Sequence, residues 1–114
     1  MLYLTSLPEL QSAVARQTAL VVGCYSDWCP ASSQSKPVFE RVAAAHQHWA
    51  CFAKVRTDES PDIAGVLSVT AIPSFYVFRT GRLLDTLRGS VPEARLIDWI
   101  RRNLRENAQQ QHIA

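Results

Sequence analysis

The sequence lacks a long hydrophobic run and any marked excess of one sign of charge. Its 114 residues include 12 Lys and Arg and 10 Asp and Glu, which gives a formal net charge of +2. A chain with so small a net charge is not expected to attract nucleic acid through its overall field. The longest apolar run falls far short of the roughly 18 residues that a membrane-spanning helix needs. We therefore expect neither nucleic acid nor a membrane as a partner.

Cysteine is scarce and odd in number. The chain holds Cys24, Cys29 and Cys51, and an odd count fits a reducing compartment better than a disulfide framework. Residues 1–6 lack the basic segment and the apolar stretch of a signal peptide, so we expect a cytoplasmic protein. The cysteines and the three histidines do not have the spacing of a ligand set. Neither a metal ion nor another cofactor is expected.

The residues that are present have the composition of one ordinary folded domain. Hydrophobic residues make up 47% of the chain and charged residues 19%, so a chain of this length can bury a core. We expect a monomeric domain over residues 1–106 and a frayed polar tail over residues 107–114. The charge is uneven, because residues 79–105 contain seven arginines and three acidic residues. This stretch is either a solvated basic face or a surface for an acidic partner.

Capping signals and hydrophobic patterns predict an alternation of strands and helices. Ser6 and Glu9 have the spacing of a capping box, and so do Ser90 and Glu93. Residues 19–25 are apolar throughout, as expected of a strand buried on both faces. The predicted elements are helix 6–16, strand 19–25, a helix after residue 30, strand 51–56, a short helix within 58–67, strands 74–78 and 83–87, and a final helix opened at residue 90. The strand-helix-strand order implies parallel pairing with right-handed crossovers.

The pentapeptide Trp28-Cys29-Pro30-Ala31-Ser32 is the strongest functional signal in the chain. It lies where a predicted strand gives way to a predicted helix. At such a junction, backbone N–H groups and the helix dipole favour the thiolate form of a cysteine. The residue three positions after Cys29 is Ser32 and not a second cysteine. The sequence therefore predicts an activated thiol without an adjacent partner thiol.

The motif Trp28-Cys29-x-x-Ser32 resembles the thioredoxin signature Trp-Cys-Gly-Pro-Cys with its second cysteine replaced. Pro37 lies where thioredoxins carry a helix-kinking proline, and Ile72-Pro73 resembles the family's cis-proline loop. Gly81 and Gly89 match later turn glycines. The spacing of these motifs together identifies residues 2–104 as similar to the thioredoxin family, in a monothiol CxxS variant. The resemblance implies an α/β fold with a central mixed five-stranded sheet flanked by helices on both faces.

The resemblance also implies the chemistry of the site. In dithiol thioredoxins, the first cysteine attacks a substrate disulfide and the second releases the reduced product. Cys29 would be the nucleophile here, and Ser32 cannot be the second thiol. The backbone N–H and the hydroxyl of Ser32 are expected to donate to the Cys29 thiolate. Cys51 opens the next strand, at the far end of the sheet from Cys29, and Cys24 is expected to be buried. Both are interpreted as core residues.

Two further positions bear on the candidate catalytic group. Gly23 stands where thioredoxins usually place a buried aspartate, which helps to deprotonate the second cysteine. Lys54 matches the lysine that accompanies this aspartate. Without the carboxylate, Lys54 either lies near Cys29 and favours its thiolate or is a surface lysine with an extended side chain.

The resemblance implies a substrate-binding surface around the thiol. A peptide strand would pair with the backbone at Ala71 and Ile72, before the cis-proline. Trp28 would belong to an apolar platform, and the alternative is that it is a core residue. The implied binding residues are Trp28, Pro30, Ala31, Ala71, Ile72, Pro73, Gly89 and Ser90. The implied partners are protein or peptide disulfides, with glutathione or a thioredoxin reductase as the redox partner.

Three functions remain open from the sequence. The first is a monothiol oxidoreductase whose mixed disulfides are resolved by an external thiol. The second is a dithiol thioredoxin in which a cysteine at position 32 was replaced to trap substrate. The third is a non-catalytic module that uses the cis-proline groove and the basic face for docking. The absence of an aspartate at Gly23 favours the first over the second, since the base and the second thiol are missing together.

Overall fold

Five strands form one mixed sheet, as predicted. The computed structural model describes the backbone of residues 1–113 and the side chains up to Arg105. The strands are β1 (Leu2–Tyr3), β2 (Ala19–Tyr25), β3 (Cys51–Arg56), β4 (Ser74–Arg79) and β5 (Arg82–Arg88), in the order β1-β3-β2-β4-β5. Strand β3 is parallel to both β1 and β2, whereas β4 is antiparallel to β2 and β5. The mixed character of the sheet thus follows from the hairpin that β4 and β5 make.

Four helices cover the sheet. They are α1 (Leu7–Arg16), α2 (Pro30–Ala45), α3 (Pro61–Val66) and α4 (Glu93–Ile113). The capping box at α1 is confirmed, because the Ser6 hydroxyl accepts from the backbone N–H of Glu9 at 3.4 Å. The α4 backbone is helical through residue 113, and Ala114 lies outside the described residues. The frayed tail over residues 107–114 stays a prediction. No helix in the described chain combines the length and the apolar character that crossing a membrane requires.

The second predicted capping box is wrong. Helix α4 begins at Glu93, and its first backbone bonds run to the carbonyl of Pro92. The Ser90 hydroxyl lies 3.1 Å from that of Ser35 and 3.4 Å from the carbonyl oxygen of Ala31. A tertiary contact with α2 therefore occupies the side chain that the sequence pattern assigns to the cap.

Two hydrophobic clusters hold the helices on the two faces of the sheet. Strand β2 is buried along its whole length and supplies both clusters with alternate side chains. Leu20, Val22 and Cys24 face the cluster that contains α1 and α3, whereas Val21 faces the cluster that contains α2 and α4. This two-sided burial explains why β2 reads as a continuous apolar run in the sequence.

The parallel register of β2 and β3 fixes where the cysteines lie. Leu20, near the start of β2, is opposite Cys51, and Tyr25, at its end, is opposite Arg56. Cys29 follows the end of β2, so the sheet separates it from Cys51. The expectation that these two cysteines lie at opposite ends of the sheet is confirmed.

Candidate functional site

Cys29 occupies the N-cap position of α2, and Pro30 is the first residue of that helix. The proline fits there because the first turn leaves its N–H groups without helical partners. The Cys29 thiol is half-buried and lies 3.8 Å from the carbonyl oxygen of Ile72, within reach of a weak S–H···O bond. The Ile72–Pro73 peptide bond is cis. The first helical turn and the loop before β4 therefore meet at the thiol.

A third loop completes this surface. The backbone N–H of Gly89 donates to the carbonyl of Pro73 at 2.8 Å. Gly89 has φ of +89°, a conformation that residues with a Cβ rarely adopt. The Ser90 hydroxyl then reaches the carbonyl of Ala31 in α2. The structure thus brings together the loop segments that the resemblance assigns to substrate binding.

Trp28 is exposed beside this surface. The residue is 71% accessible to solvent, so the alternative that it belongs to the core is wrong. Ala71 and Ile72 are half-exposed, whereas Pro73 is buried beneath them. An exposed tryptophan next to a partly exposed loop offers apolar area and backbone groups for a peptide.

Ser32 has a structural contact that the sequence did not indicate. The residue is fully buried, and its hydroxyl oxygen accepts from the backbone N–H of Ser26 at 2.9 Å. Among the hydrogen bonds of the described residues, none joins this hydroxyl to the Cys29 sulfur. The expected donation from the Ser32 hydroxyl is therefore not found. Ser32 instead holds the loop that connects β2 to α2.

The space beside Gly23 is filled by an aromatic ring. A Cβ atom at Gly23 would lie 3.0–3.2 Å from three carbons of the Phe39 ring. Phe39 is buried and packs against Phe52 and Phe75, with ring centroids 5.9 and 5.6 Å apart. A side chain at position 23 would need this aromatic group to shift. The site where thioredoxins usually carry a buried carboxylate is therefore tightly packed in this protein, and a side chain there requires the Phe39 ring to move by a few tenths of an ångström.

Lys54 is held away from solvent by two partners. Its side chain is 2% exposed, and its Nζ lies 2.6 Å from Oε1 of Glu40 and 4.4 Å from the centre of the Tyr3 ring. Burial acts to lower the pKa of Lys54, but the interactions with Glu40 and Tyr3 outweigh it and leave the pKa raised. The surface-lysine alternative is wrong. The other alternative, a lysine beside Cys29, also receives no support, because the ammonium is paired with Glu40.

The other two cysteines have surroundings that suppress ionisation. Cys24 is 1% exposed, and burial raises its pKa to about 12. Cys51 is half-buried, and burial raises its pKa as well. All three cysteines are free. Among the described residues, no group of three or more His, Cys, Asp and Glu side chains is placed to hold a metal ion.

Two charged features flank the thiol loop, and neither Arg56 nor Arg88 was assigned to the site from the sequence. Arg56 pairs with Asp27, Asp58 and Glu59, at 2.6, 3.6 and 3.0 Å, next to Trp28. The parallel pairing of β2 and β3 predicts this cluster, since both strands end where these residues lie. On the other side, Arg88 is the last residue of β5 and precedes Gly89. In the sequence, the position of Arg88 directly before the candidate binding residue Gly89 could have indicated that it lies at the site.

Comparisons with known proteins agree on one family. The Thioredoxin family model matches residues 3–102. The chain is 37% identical over 87 residues to monothiol glutaredoxin-S11 of Oryza sativa subsp. japonica, covering 76% of this chain and 18% of that protein. It is 35% identical over 82 residues to a thioredoxin-like protein of Fusarium culmorum, covering 70% of this chain and 68% of that protein. The crystal structure of oxidised mitochondrial thioredoxin 3 from Saccharomyces cerevisiae superposes with a TM-score of 0.81 at 30% identity, over 89% of this chain and 93% of that one. This chain thus spans less than a fifth of the rice protein.

Proposed function

The chain belongs to the thioredoxin family, and from that premise we propose that it is a thiol-disulfide oxidoreductase with one reacting thiol, Cys29. The observation that carries the proposal is the contrast at the start of α2. Cys29 lies half-buried at the N-cap, with its sulfur 3.8 Å from the carbonyl oxygen of Ile72 in the loop before β4. Ser32, one turn further on, is fully buried and carries a hydroxyl, which does not displace a thiolate from sulfur.

The proposed reaction is a pair of thiol-disulfide exchanges. The Cys29 thiolate attacks one sulfur of a substrate disulfide, and the other substrate sulfur leaves as a thiolate. A covalent Cys29–substrate disulfide results. A thiolate from solution, for which we propose glutathione, then attacks that bond and releases one of its two sulfurs. A thioredoxin reductase is the alternative redox partner. These two exchange steps suit disulfide isomerisation, deglutathionylation or tethering of a partner better than they suit net reduction.

The substrate is proposed to be a protein or peptide that binds as an added strand. The half-exposed loop residues Ala71 and Ile72 have backbone groups that could pair with an extended peptide. The carbonyl of Ile72 lies 3.8 Å from the Cys29 sulfur, so a peptide bound there has its own cysteine next to the nucleophile. Trp28 supplies apolar area on the other side of the thiol. We place the protein in the cytoplasm as part of the same proposal.

The tight packing of Phe39 against Gly23 supports a natural serine at position 32. A dithiol thioredoxin with a replaced cysteine would be expected to keep the buried carboxylate at position 23. Position 23 is instead a glycine against which the Phe39 ring packs closely. We therefore favour the monothiol protein over the trapped dithiol protein. The docking module differs from both in predicting no reaction at Cys29.

Mass spectrometry of mixed disulfides tests the proposal. The wild-type protein is mixed with a peptide disulfide at neutral pH, and the adduct is located by peptide mapping. We expect the adduct on Cys29 and its release when glutathione is added. Cys29→Ser should form no adduct, and Cys51→Ser, the matched control, should behave as wild type. An adduct on Cys51, or an inert Cys29, would contradict the proposal, and the inert thiol would favour the docking module.

A further inference from the structure

Arg88 lies at the edge of the surface on which a substrate strand is proposed to bind. It ends β5, where it is opposite Ser74, the first residue of β4. The guanidinium Nε donates to the hydroxyl of Thr70 at 3.1 Å. Thr70 is two residues before Ile72, whose carbonyl contacts the Cys29 thiol. The side chain is therefore fixed beside the loop that carries the proposed backbone pairing.

The charge of Arg88 is not balanced by a protein carboxylate. Among the side chains that the structure describes, no Asp or Glu lies within 4.0 Å of its nitrogens, although Arg41, Arg56, Arg101 and Arg102 all have such partners. Arg88 is exposed, and the bond to Thr70 occupies one of its five N–H donors. The remaining donors form the planar fork that binds a carboxylate well. This arginine is thus held in place and open to an acidic group from outside.

The geometry of strand addition gives the position of that acidic group. Residues 70–73 form a loop that bends at residues 71–73, so reach rather than strand register places the substrate: if its cysteine lies beside Ile72, the residue two positions along the extended substrate can reach Thr70. Two residues of extended chain span roughly 7 Å, and their side chains point to the same face. A side chain at that position therefore lies next to Thr70 and to the guanidinium that Thr70 holds.

The opposite flank of the thiol carries the opposite charge. Arg56 is surrounded by the carboxylates of Asp27, Asp58 and Glu59, which leaves an excess of negative charge beside Trp28. A bound peptide therefore passes from an acidic flank to a basic one. This polarity favours one direction and one placement of an acidic residue.

We propose that Arg88 is a specificity-determining residue that binds a carboxylate two residues from the reacting cysteine of an extended peptide. The inference rests on the proposed function, since it needs a substrate strand beside Cys29. The carboxylate comes from an Asp or Glu side chain of a protein substrate; the alternative source is glutathione, whose carboxylates belong to the residues next to its cysteine. Both sources offer the same group to the same guanidinium.

The test uses capped peptides with one cysteine activated as a mixed disulfide with thionitrobenzoate. The Cys29 thiolate attacks the peptide sulfur, the Cys29–peptide disulfide forms, and coloured thionitrobenzoate leaves. The peptides carry Glu, Gln or Lys two residues after the cysteine, and a second set carries them two residues before it. Only one of the two sets should respond, because the peptide binds in one direction. In that set, the Glu peptide should react roughly two- to fivefold faster than the Gln peptide, as expected for an exposed ion pair. The Lys peptide should be slowest, and the preference should shrink in high salt.

Variants assign the preference to Arg88. The ratio of the Glu rate to the Gln rate should fall to about one in Arg88→Gln and be partly retained in Arg88→Lys. Arg82→Gln removes an arginine from the other end of β5 and should keep the wild-type ratio. A second arm compares glutathione with its glycine ethyl ester as the thiol that resolves the Cys29–peptide adduct. A preference for free glutathione that is lost in Arg88→Gln assigns the carboxylate to that source.

The outcomes separate the two proposals. Release of thionitrobenzoate at equal rates from the Glu and Gln peptides in both sets, with no glutathione preference, overturns the role of Arg88 and leaves the reaction at Cys29 intact. A preference that persists in Arg88→Gln overturns it as well. No release from any peptide overturns both the role of Arg88 and the proposed function. If Arg88→Gln does not fold, the salt dependence of the wild-type ratio and the Arg88→Lys ratio decide.

Discussion

The hydroxyl oxygen of Ser32 accepts a hydrogen bond from the backbone N–H of Ser26, and both residues are fully buried. Ser26 follows the end of β2, and Ser32 lies in the first turn of α2. The bond therefore closes the loop that carries Trp28 and Cys29. A buried N–H needs such a partner, because leaving it unpaired costs free energy. The residue at position 32 is thus part of how the thiol is held.

Ser32→Ala should lower the free energy of unfolding by about 1–3 kcal/mol. The substitution leaves the buried N–H of Ser26 without its acceptor. Urea unfolding followed by circular dichroism measures the change. Ser33→Ala is the matched control, since Ser33 is exposed and makes its contact to Cys29 through its backbone N–H. Equal stabilities of the two variants would show that the Ser26–Ser32 bond does not hold the loop.

Ser32→Cys should introduce a second redox-active thiol. The new cysteine lies one helical turn from Cys29, and we expect the pair to form a disulfide on oxidation. Turbidity during insulin reduction with dithiothreitol measures the result. The wild type should show little activity, because its mixed disulfide has no internal thiol to resolve it, and the variant should show a partial gain. Full activity in the wild type would contradict the monothiol mechanism.

Gly23→Asp should not improve Ser32→Cys on its own. The added side chain meets the Phe39 ring at 3.0 Å, and overpacking of this kind costs about 1–3 kcal/mol. Lys54, the expected partner of the new carboxylate, is already paired with Glu40. Adding Phe39→Leu makes room, so the triple variant should be the faster insulin reductase at equal folded concentration. A faster Gly23→Asp, Ser32→Cys protein without the change at Phe39 would show that the ring moves at little cost.

The stability that Cys24 contributes should be lost at alkaline pH. Its pKa is raised from 9.0 to about 12 in the folded protein, so above pH 9 the unfolded thiol ionises while the folded one stays protonated. The contribution is complete below pH 9 and falls as pH rises towards 12, with a slope that approaches about 1.4 kcal/mol per pH unit.

The difference in unfolding free energy between wild type and Cys24→Ala measures this effect. Tyr25 and Tyr76 also have raised pKa values from burial, but both proteins contain them, so their titration largely cancels. The advantage of the wild type should shrink between about pH 8 and pH 10. A constant difference across that range would mean that the Cys24 thiol is not as enclosed as its 1% exposure indicates.

The parts of the fold that were predictable depend on local patterns. Strand β2 is buried on both faces and therefore apolar throughout, and the Cys29 loop has a motif with fixed spacing. Strand β1 has only two residues, which is too short for a recognisable alternation of apolar and polar residues. The sequence therefore did not show which residues form it. Ser90 carries a capping pattern, yet a contact with Ser35 takes its side chain. A local signal gives no information about such a competing distant partner.

The same limit applies to the surroundings of the candidate site. Lys54 matches a family lysine in the sequence, but neither of its two expected environments is found, because its partners Glu40 and Tyr3 come from other elements. The filling of the space beside Gly23 by Phe39 likewise depends on how α2 packs on the sheet. A missing aspartate is visible in a sequence. The group that takes its space becomes visible only when the helix is in place.

Because Cys51 lies at the far end of the sheet, the lifetime of the proposed covalent adduct on Cys29 depends on thiols outside this chain. Cys24 is enclosed and Cys51 is out of reach, so under the proposed mechanism no second cysteine of this chain breaks the bond, and a thiol of the substrate or of the solution must do so. If the proposed mechanism holds and the substrate has no further thiol, we expect the half-life of the adduct to vary inversely with the concentration of the solution thiol. The lifetime of such a covalent complex would then report the reducing capacity around the protein.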